Sequence, residues 1–277
     1  MQRGRPSLTA LHIALARSWL TRAGIIDDPY AHGFLDRGHA YIERALWWGR
    51  WSHLGERSFA YIAARTRFYD TLIDSCLDAG TNQVVLLAAG YDSRAWRLAR
   101  PGVRFFDVDH PDTQTRKRGL APTTDGPTYV AADLGSVPLD QPLLAAGFQS
   151  KHPSVFCCEG LTMYLPEAAI RTLLGAVAGL AAAGSRLGVD FASAVSTSTP
   201  TQRAVQAASR AIVRSSGERI QFALAPTAAP AFLADTGWEA NQVLIGPELH
   251  DRFLDPHELP LRWTAGASFA ATATIPA

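Results

Sequence analysis

The first eighty residues show the helical spacing of apolar positions. The apolar face of the first predicted helix includes Leu11, Ala14, Leu15 and Ala16. Ser7 or Thr9 is a candidate N-cap for this helix, since a side-chain oxygen there can accept a free helical N–H. Asp28 and Pro29 predict a turn that starts another helix. A long amphipathic stretch from about residue 57 to 77 predicts a further helix.

From residue 83 onwards the pattern changes to short, nearly continuous apolar runs, which are typical of strands buried on both faces of a parallel sheet. These runs predict strands at residues 83–89, 103–108, 129–132, 154–158 and 186–191. Helices are predicted between them at 93–99 and 166–183, the second beginning with Pro166 and closed by Gly184. Strands that alternate with helices predict a doubly wound α/β sheet.

The segment 193–230, rich in Ser, Thr, Ala and Arg, interrupts this alternation. We interpret it as a partly helical insertion that covers the sheet edge. The alternating segment 267–275 predicts a final strand that can run antiparallel to its neighbour. No repeat or long linker divides the chain, so we predict a single domain. Its parts are a helical region 1–80, a core 81–192, the insertion 193–230 and carboxy-terminal strands 231–277.

Composition narrows the functional class. The 277 residues carry 26 basic and 25 acidic side chains, and 47% are apolar, so the chain is neither disordered nor a dedicated nucleic-acid binder. No run of 18 apolar residues predicts a membrane span, and the first residues lack the features of a signal peptide. Three cysteines build neither a disulfide framework nor a metal site. We therefore expect a cytoplasmic protein with a small-molecule substrate, and the sequence leaves its oligomeric state open.

Polar residues follow four of the predicted strands. They are Gly90 with Asp92, then Asp109, Asp133 and Glu159. In an open α/β sheet the ligand lies at the carboxyl ends of the strands, so these residues are expected to share one crevice. The structural alternative is that Gly90 closes a turn and the acids cap helices.

The spacing of Asp109, nineteen residues after Gly90, suits an acid that binds ribose hydroxyls. A dinucleotide would also need a glycine-rich turn for its pyrophosphate, whereas the turn LLAAGYDSR holds one glycine. S-adenosylmethionine carries no phosphate and needs only a turn of small residues, so it fits this sequence better.

Specific blocks of the sequence resemble a known family. They include TALHIALARSWLTRAGIIDDPYA, AARTRFYDTLI, VVLLAAGYDSRAWRL, FFDVDHPDTQTRKR, VAADL and CCEGLTMYLPEAAIRTLL. In order and spacing these blocks resemble the leucine carboxyl methyltransferase-like family of S-adenosyl-L-methionine-dependent O-methyltransferases, especially its actinobacterial branch. The resemblance implies a Rossmann-like, seven-stranded class I methyltransferase sheet with helical lid elements.

The resemblance also implies contacts with the cofactor S-adenosyl-L-methionine. They are Arg65 for its carboxylate, Ala88 and Gly90 in the turn under the methionine part, Asp109 for the ribose with His110 bordering the pocket, Asp133 and Leu134 beside the adenine, and Glu159 near the amino end and the methyl-transfer centre. An arginine fork suits a carboxylate because it donates two parallel hydrogen bonds. Ala88 departs from the glycine frequent at this position, and alanine does not freely adopt positive φ.

Other polar residues have two interpretations. Glu159 and Tyr164 are the candidates for positioning the reactants, although an aromatic residue at 164 can equally belong to the core. Arg67 lies two residues from Arg65 and is expected to point elsewhere on the helix, and Asp92 is expected to cap the short helix after it. An aromatic substrate pocket or simple lid packing would explain the cluster of Trp47, Trp48 and Trp51 with His39 and His53.

The resemblance implies an O-methyltransferase acting on a carboxylate or phenolic hydroxyl of a small, partly apolar metabolite, such as a polyketide. None of the eight histidines lies in a motif with the role of a base, and a carboxylate, unlike a phenol, needs none at neutral pH. A methyltransferase-fold protein that binds the cofactor without methyl transfer is the alternative, favoured by Ala88. A nicotinamide oxidoreductase is weaker, because the pyrophosphate turn is absent.

Overall fold

A computed structural model describes residues 8–40, 53–135, 138–194, 219–254 and 268–276, with the main chain alone for 53–58. Within these ranges a single seven-stranded sheet forms the centre of the fold. Its strands are β1 (Gln83–Leu87), β2 (Arg104–Asp109), β3 (Thr128–Ala131), β4 (Val155–Cys158), β5 (Arg186–Ala192), β6 (Glu239–Leu244) and β7 (Ser268–Thr274). The order is β3-β2-β1-β4-β5-β7-β6. All neighbours pair in parallel except β7, which runs antiparallel to both β5 and β6.

Helices cover both faces of the sheet. They are α1 (Leu8–Arg22), α2 (His53–Asp78), α3 (Arg94–Arg97), α4 (Pro111–Leu120), α5 (Asp140–Ala145), α6 (Glu167–Leu180), α7 (Ala229–Ala234) and α8 (Gly246–Phe253). Short 3₁₀ turns lie at Ala31–Phe34, Thr162–Tyr164 and Pro226–Ala228. Among the described residues, no helix has the length and apolar character needed to cross a membrane.

Strand β1 is buried along its whole length because both of its faces are covered. Val84 and Leu86 pack into one apolar cluster with α1 and α2, and Val85 and Leu87 pack into a second with α6. This is the environment that a continuous apolar run predicts. The three cysteines are buried free thiols, as the sequence predicts.

Helix α2 approaches β5 closely at Gly188. A Cβ atom at this position would lie 2.6 Å from Leu72 Cδ2 and 3.0 Å from Tyr69 Cε1, so only glycine fits without displacement. The close approach places the side chains of α2 against the carboxyl half of β5, and the consequences for the site are described below.

The structure confirms the predicted α/β sheet and its antiparallel final strand, with corrections at element ends. Asp109 is the last residue of β2 rather than the first residue after it. Thr9 lies inside α1 and is no N-cap, and Ser7 lies outside the described residues. No bounds were predicted for β6 within the carboxy-terminal strands 231–277. Its burial is irregular, and its register with β7 shifts between Ala240 and Gln242.

Part of the insertion 193–230 lies beside the strand ends, where the main-chain N–H of Gln221 donates to Met163 O in the loop after β4, at 2.8 Å. Its last two residues begin α7, which packs against the edge strand β6. Residues 195–218 lie outside the described ranges, so the predicted cover of the sheet edge by the insertion stays a prediction.

Candidate cofactor and substrate site

A cavity of about 850 Å³ opens at the carboxyl ends of the parallel strands, the edge at which the sequence places its polar residues. Its wall is formed by α1, the loops after β1 to β4 and residues 219–221. All the predicted site residues line it: Arg65, Ala88, Gly90, Asp109, His110, Asp133, Leu134, Glu159 and Tyr164. The sheet therefore brings together residues separated by up to a hundred positions in sequence.

The turn after β1 adopts the conformation that glycine favours, although its first position is alanine. Ala88 has φ +55° and Gly90 has φ +49°. Helix α1 packs closely against this turn. A Cβ atom added to Gly90 would therefore lie only 3.1 Å from Ala10 Cβ. The substitution at position 88 thus changes the strain of the turn and not its shape.

Asp109 ties the turn after β1 to the end of β2. Its Oδ2 accepts a hydrogen bond from Gly90 N and its Oδ1 accepts one from His110 N, at 2.5 and 2.6 Å. Burial raises the pKa of Asp109, and the two N–H groups act in the opposite direction. His110 lines the cavity and caps α4, with Nδ1 accepting from Asp112 N at 3.3 Å.

Asp133 and Leu134 follow β3 on the adjacent part of the wall. Asp133 is exposed, and its Oδ1 accepts a hydrogen bond from Gly135 N at 3.1 Å. Leu134 is buried in the apolar cluster under the sheet. An exposed acid beside an apolar side chain suits a flat ring that is polar at its edge, such as the adenine that the family resemblance implies here.

Arg65 projects from α2 into the cavity wall, where two carboxylates hold it. Its Nε lies 2.9 Å from Glu159 Oε1, and its Nη1 lies 3.3 Å from Asp190 Oδ2. Burial would lower the pKa of Arg65, but Glu159, Tyr61 and Asp190 outweigh it and raise that pKa. Arg65 therefore carries a fixed positive charge at the wall.

Arg67 lies on another side of α2. Its guanidinium donates to Ile25 O at 2.6 and 3.2 Å, and it lines no part of the cavity. This confirms the prediction that Arg67 points away from Arg65.

Arg94 supports Glu159 from the other side. Arg94 is fully buried, and its Nη1 donates to Glu159 Oε2 at 2.6 Å and to Asp92 Oδ2 at 2.5 Å. Burial alone would raise the pKa of Glu159, but Arg94 and Arg65 together hold it below its usual range. Asp92 also accepts from Arg94 N at 2.7 Å, which confirms its predicted capping of α3.

Asp190, near the end of β5, was missed by sequence reasoning. It is fully buried and accepts hydrogen bonds from the hydroxyls of Tyr61 and Tyr69 at 2.9 and 3.1 Å and from Gly160 N at 2.6 Å. It thereby fixes both Arg65 and the start of the loop after β4. An acid inside the apolar run LGVDFA was the feature that could have revealed it.

Arg17 was missed as well. It lies on α1, lines the cavity, is 4% exposed, and pairs with Asp28 Oδ2 at 2.7 Å. Its Nε is buried and has no hydrogen-bond partner among the described residues. An arginine within the apolar stretch ALARSWL was the available indication.

Less polar residues line the cavity as well. Ile13, Leu161 and Tyr164 are half-buried, while Arg219 and Ile220 are exposed at its mouth. His39 lies outside the wall; its Nδ1 pairs with Asp36 Oδ1 at 2.7 Å. Trp47, Trp48 and Trp51 lie outside the described residues, as does the side chain of His53.

These residues fit S-adenosylmethionine, whose methionine part is a zwitterion and whose sulfur is cationic. Arg65 and Arg17 offer guanidinium groups for a carboxylate, and the unpartnered Nε of Arg17 is a buried donor of the kind that a ligand satisfies. Glu159 offers a negative charge for the ammonium group, and Asp109 offers acceptor oxygens for the ribose.

Comparison with known proteins agrees with this chemistry. The family model for leucine carboxyl methyltransferase matches residues 9–178. The chain is 36% identical over 269 residues to a "Putative S-adenosyl-L-methionine-dependent methyltransferase" of Parafrankia sp. (strain EAN1pec), covering 87% of this chain and 84% of that one. A protein of the same description from Mycolicibacterium gilvum (strain PYR-GCK) is 38% identical over 205 residues, 66% of each chain.

Solved structures share the fold. A "putative methyltransferase" from Thermobifida fusca YX superposes with a TM-score of 0.63 at 18% identity, covering 100% of this chain and 97% of that one. Magnesium protoporphyrin IX methyltransferase from Synechocystis PCC 6803, with bound S-adenosylhomocysteine, superposes with a TM-score of 0.50 at 13% identity, over 86% and 94% of the two chains. The chain therefore belongs to the leucine carboxyl methyltransferase family and is an S-adenosyl-L-methionine-dependent methyltransferase.

Proposed function

We propose that the protein is an O-methyltransferase that methylates a carboxylate or phenolic hydroxyl of a small, partly apolar metabolite. The observation that carries the proposal is the mixed lining of one cavity. Arg17, Arg65 and Glu159 line it together with the half-buried Leu161 and Tyr164 and the exposed Ile220. The charged residues suit the cofactor, and the apolar and aromatic residues suit an apolar substrate body.

When bound, the cofactor supplies a methyl group that its sulfonium makes electrophilic. The protein's contribution is to orient the substrate oxygen towards it and to exclude water. In this proposal Tyr164, which ends the 3₁₀ turn Thr162–Tyr164 and lines the cavity, orients that oxygen, and Arg65 and Glu159 bind the cofactor's two charged ends.

The charge state of Glu159 favours a carboxylate as the nucleophile. Two guanidinium groups keep the pKa of Glu159 low, so it is a poor acceptor for the proton of a phenol. His110 already uses Nδ1 to cap α4. A carboxylic acid is ionised at neutral pH, with a pKa of about 4 in model compounds, and needs no base.

Arg219 gives the mouth of the cavity a positive charge. It is exposed and forms no ion pair with a residue in the described ranges, unlike the buried Arg17 and Arg65. Two residues later, the side chain of Gln221 donates to Tyr164 O at 2.5 Å, which joins this part of the chain to the loop after β4. A guanidinium here would attract an anionic substrate.

The test is a panel of matched carboxylic acids and phenols on the same apolar skeletons, incubated with S-adenosylmethionine and analysed by mass spectrometry. We expect S-adenosylhomocysteine and methylated product in equal amounts, with the product cleaved by mild alkali as a methyl ester is. A base-stable product would identify phenols as the substrates. Tight cofactor binding with no S-adenosylhomocysteine released across the panel would overturn the proposal in favour of a protein that binds the cofactor without methyl transfer.

A further inference from the structure

Arg94 lies behind the wall of the cavity and not on it. Its side chain is fully buried, whereas its partners Glu159 and Asp92 both line the cavity. A third partner, Asp70, accepts from Arg94 Nε at 2.6 Å and anchors the guanidinium to α2. Any effect of Arg94 on a ligand must therefore pass through the acids in front of it.

The two oxygens of Glu159 are held separately. Oε1 lies 2.9 Å from Arg65 Nε, and Oε2 lies 2.6 Å from Arg94 Nη1. The contact with Arg94 is a hydrogen bond, whereas Arg65 Nε attracts Oε1 by charge without the alignment of a hydrogen bond, so Arg94 is the partner that orients the carboxylate. The charges of Arg17 and Asp92 also act on Glu159, in opposite directions. Arg65 also contacts Asp190, so its charge is shared, and Arg94 is the second source of compensation for Glu159.

We propose that Arg94 is a positioning residue for the cofactor, holding the Glu159 carboxylate ionised and turned towards the cavity, where it binds the ammonium group of the methionine part. The role rests on the cofactor lying against Glu159, as proposed above. Without Arg94, Glu159 would keep a single guanidinium partner in a buried site. Burial would then raise its pKa, so that the carboxylate would gain a proton as the pH falls and lose its attraction for the ammonium group.

Arg97 provides a matched control on the same short helix. It donates to both oxygens of Asp70 at 2.9 Å and to Ser93 Oγ at 3.0 Å. It shares Asp70 with Arg94 but has no recorded contact with Glu159. Arg97→Gln therefore removes a positive charge from the same ionic cluster without removing a partner of Glu159.

The experiment measures the Kd of S-adenosylhomocysteine, which carries the same ammonium group, by calorimetry from about pH 5.5 to 9. We compare the wild type with Arg94→Gln, Arg97→Gln, Glu159→Gln and the double variant Arg94→Gln/Glu159→Gln. Arg94→Gln, which removes the positive charge, should weaken binding about tenfold at the acidic end and less at the alkaline end. Arg97→Gln should stay within about threefold of the wild type at every pH.

The double variant decides whether Arg94 acts through Glu159. In the Glu159→Gln background the cost of Arg94→Gln should disappear, since interacting residues give non-additive effects. Additive costs, or equal costs for Arg94→Gln and Arg97→Gln, would overturn the role of Arg94. Failure of the wild type to bind S-adenosylhomocysteine would overturn the cofactor's placement in the cavity.

A second measurement needs no folded Arg94 variant. The side-chain carboxyl carbons of glutamate are labelled with ¹³C in the wild type, Glu159 is assigned by comparison with Glu159→Gln, and its shift is followed against pH. We expect Glu159 to stay ionised down to below about pH 4.5. A midpoint at or above this pH would overturn the proposal by itself.

Discussion

The main-chain N–H of Gly90 donates a 2.5 Å hydrogen bond to Asp109, which accepts a second from His110 N at 2.6 Å. The predicted ribose-binding acid is thus also the group that shapes the turn under the methionine part. Asp109→Ala would leave two partly buried N–H groups without an acceptor, at a cost of about 1 to 3 kcal/mol each. We expect it to lower the free energy of unfolding in urea and to weaken cofactor binding at least tenfold in calorimetry.

Asp133→Ala is the control for that prediction. Asp133 lines the same cavity but is exposed, and its Oδ1 accepts from Gly135 N at 3.1 Å. We expect it to weaken cofactor binding with a change in stability of less than about 0.5 kcal/mol. If Asp109→Ala leaves stability unchanged as well, the assignment of Asp109 to the turn is wrong.

A comparison of two arginines on α2 tests the carboxylate-binding role. Arg65→Lys shortens and narrows the donor that faces the cavity, and lysine cannot reproduce the planar fork. We expect the Kd of S-adenosylhomocysteine to rise at least tenfold, which corresponds to about 1.4 kcal/mol. The guanidinium of Arg67 donates to Ile25 O and lies outside the cavity wall. Arg67→Lys should therefore leave the Kd within about threefold. Equal effects of the two substitutions would contradict the assignment.

Ala88 provides a test of backbone strain at the cofactor turn. An L-residue in the left-handed region costs about 1 to 2 kcal/mol of strain. Glycine has no such strain, but its unfolded chain is more flexible, which costs about 0.4 to 1 kcal/mol of folding free energy. Ala88→Gly should therefore stabilise the protein by up to about 1 kcal/mol and leave cofactor affinity equal or better. Ala89→Gly, at a neighbouring position without positive φ, should destabilise it. Thermal unfolding of both variants checks the signs, and destabilisation by Ala88→Gly would refute the strain.

The strands and most of the site follow from the sequence because both depend on local patterns. A buried parallel strand needs a continuous apolar run, and the residue after it lies at the ligand edge, so Glu159 could be placed from the run SVFCC alone. Asp109 was found in the same way, although β2 includes it.

Features that depend on distant pairing could not be found in this way. Asp190 is buried because partners 121 to 129 residues away in sequence, Tyr69 and Tyr61, donate to it. In the sequence Arg17 is an ordinary helical residue, and only the fold brings Asp28 and Ser93 into contact with it. The pairing of these charged residues therefore depends on the tertiary fold and cannot be inferred from the sequence alone.

The last prediction concerns Lys117, which is 1% exposed and pairs with the buried Asp107 beside the site. Burial, opposed by Lys117, raises the pKa of Asp107 from 3.8 to about 6. Because the folded pKa exceeds the unfolded one, the contribution of Asp107 to stability is fully present below about pH 4 and is lost as the pH rises through 6. Lys117→Met removes the attraction that limits this rise, so the pKa should move higher still.

Lys117→Met should therefore cost most in alkaline solution. Removing one partner of a buried pair costs about 3 to 5 kcal/mol. As the pH is lowered from the pKa of Asp107 in the variant to about 6, this cost should fall by about 1.4 kcal/mol per pH unit. In that range Asp107 is already protonated in the folded variant but still ionised in the folded wild type. Urea unfolding at pH 8 and pH 5 measures the difference. The exposed Lys151→Met should change stability by less than about 0.5 kcal/mol at both pH values. A Lys117→Met cost that is the same at pH 5 and pH 8 would show that Asp107 does not titrate in this range.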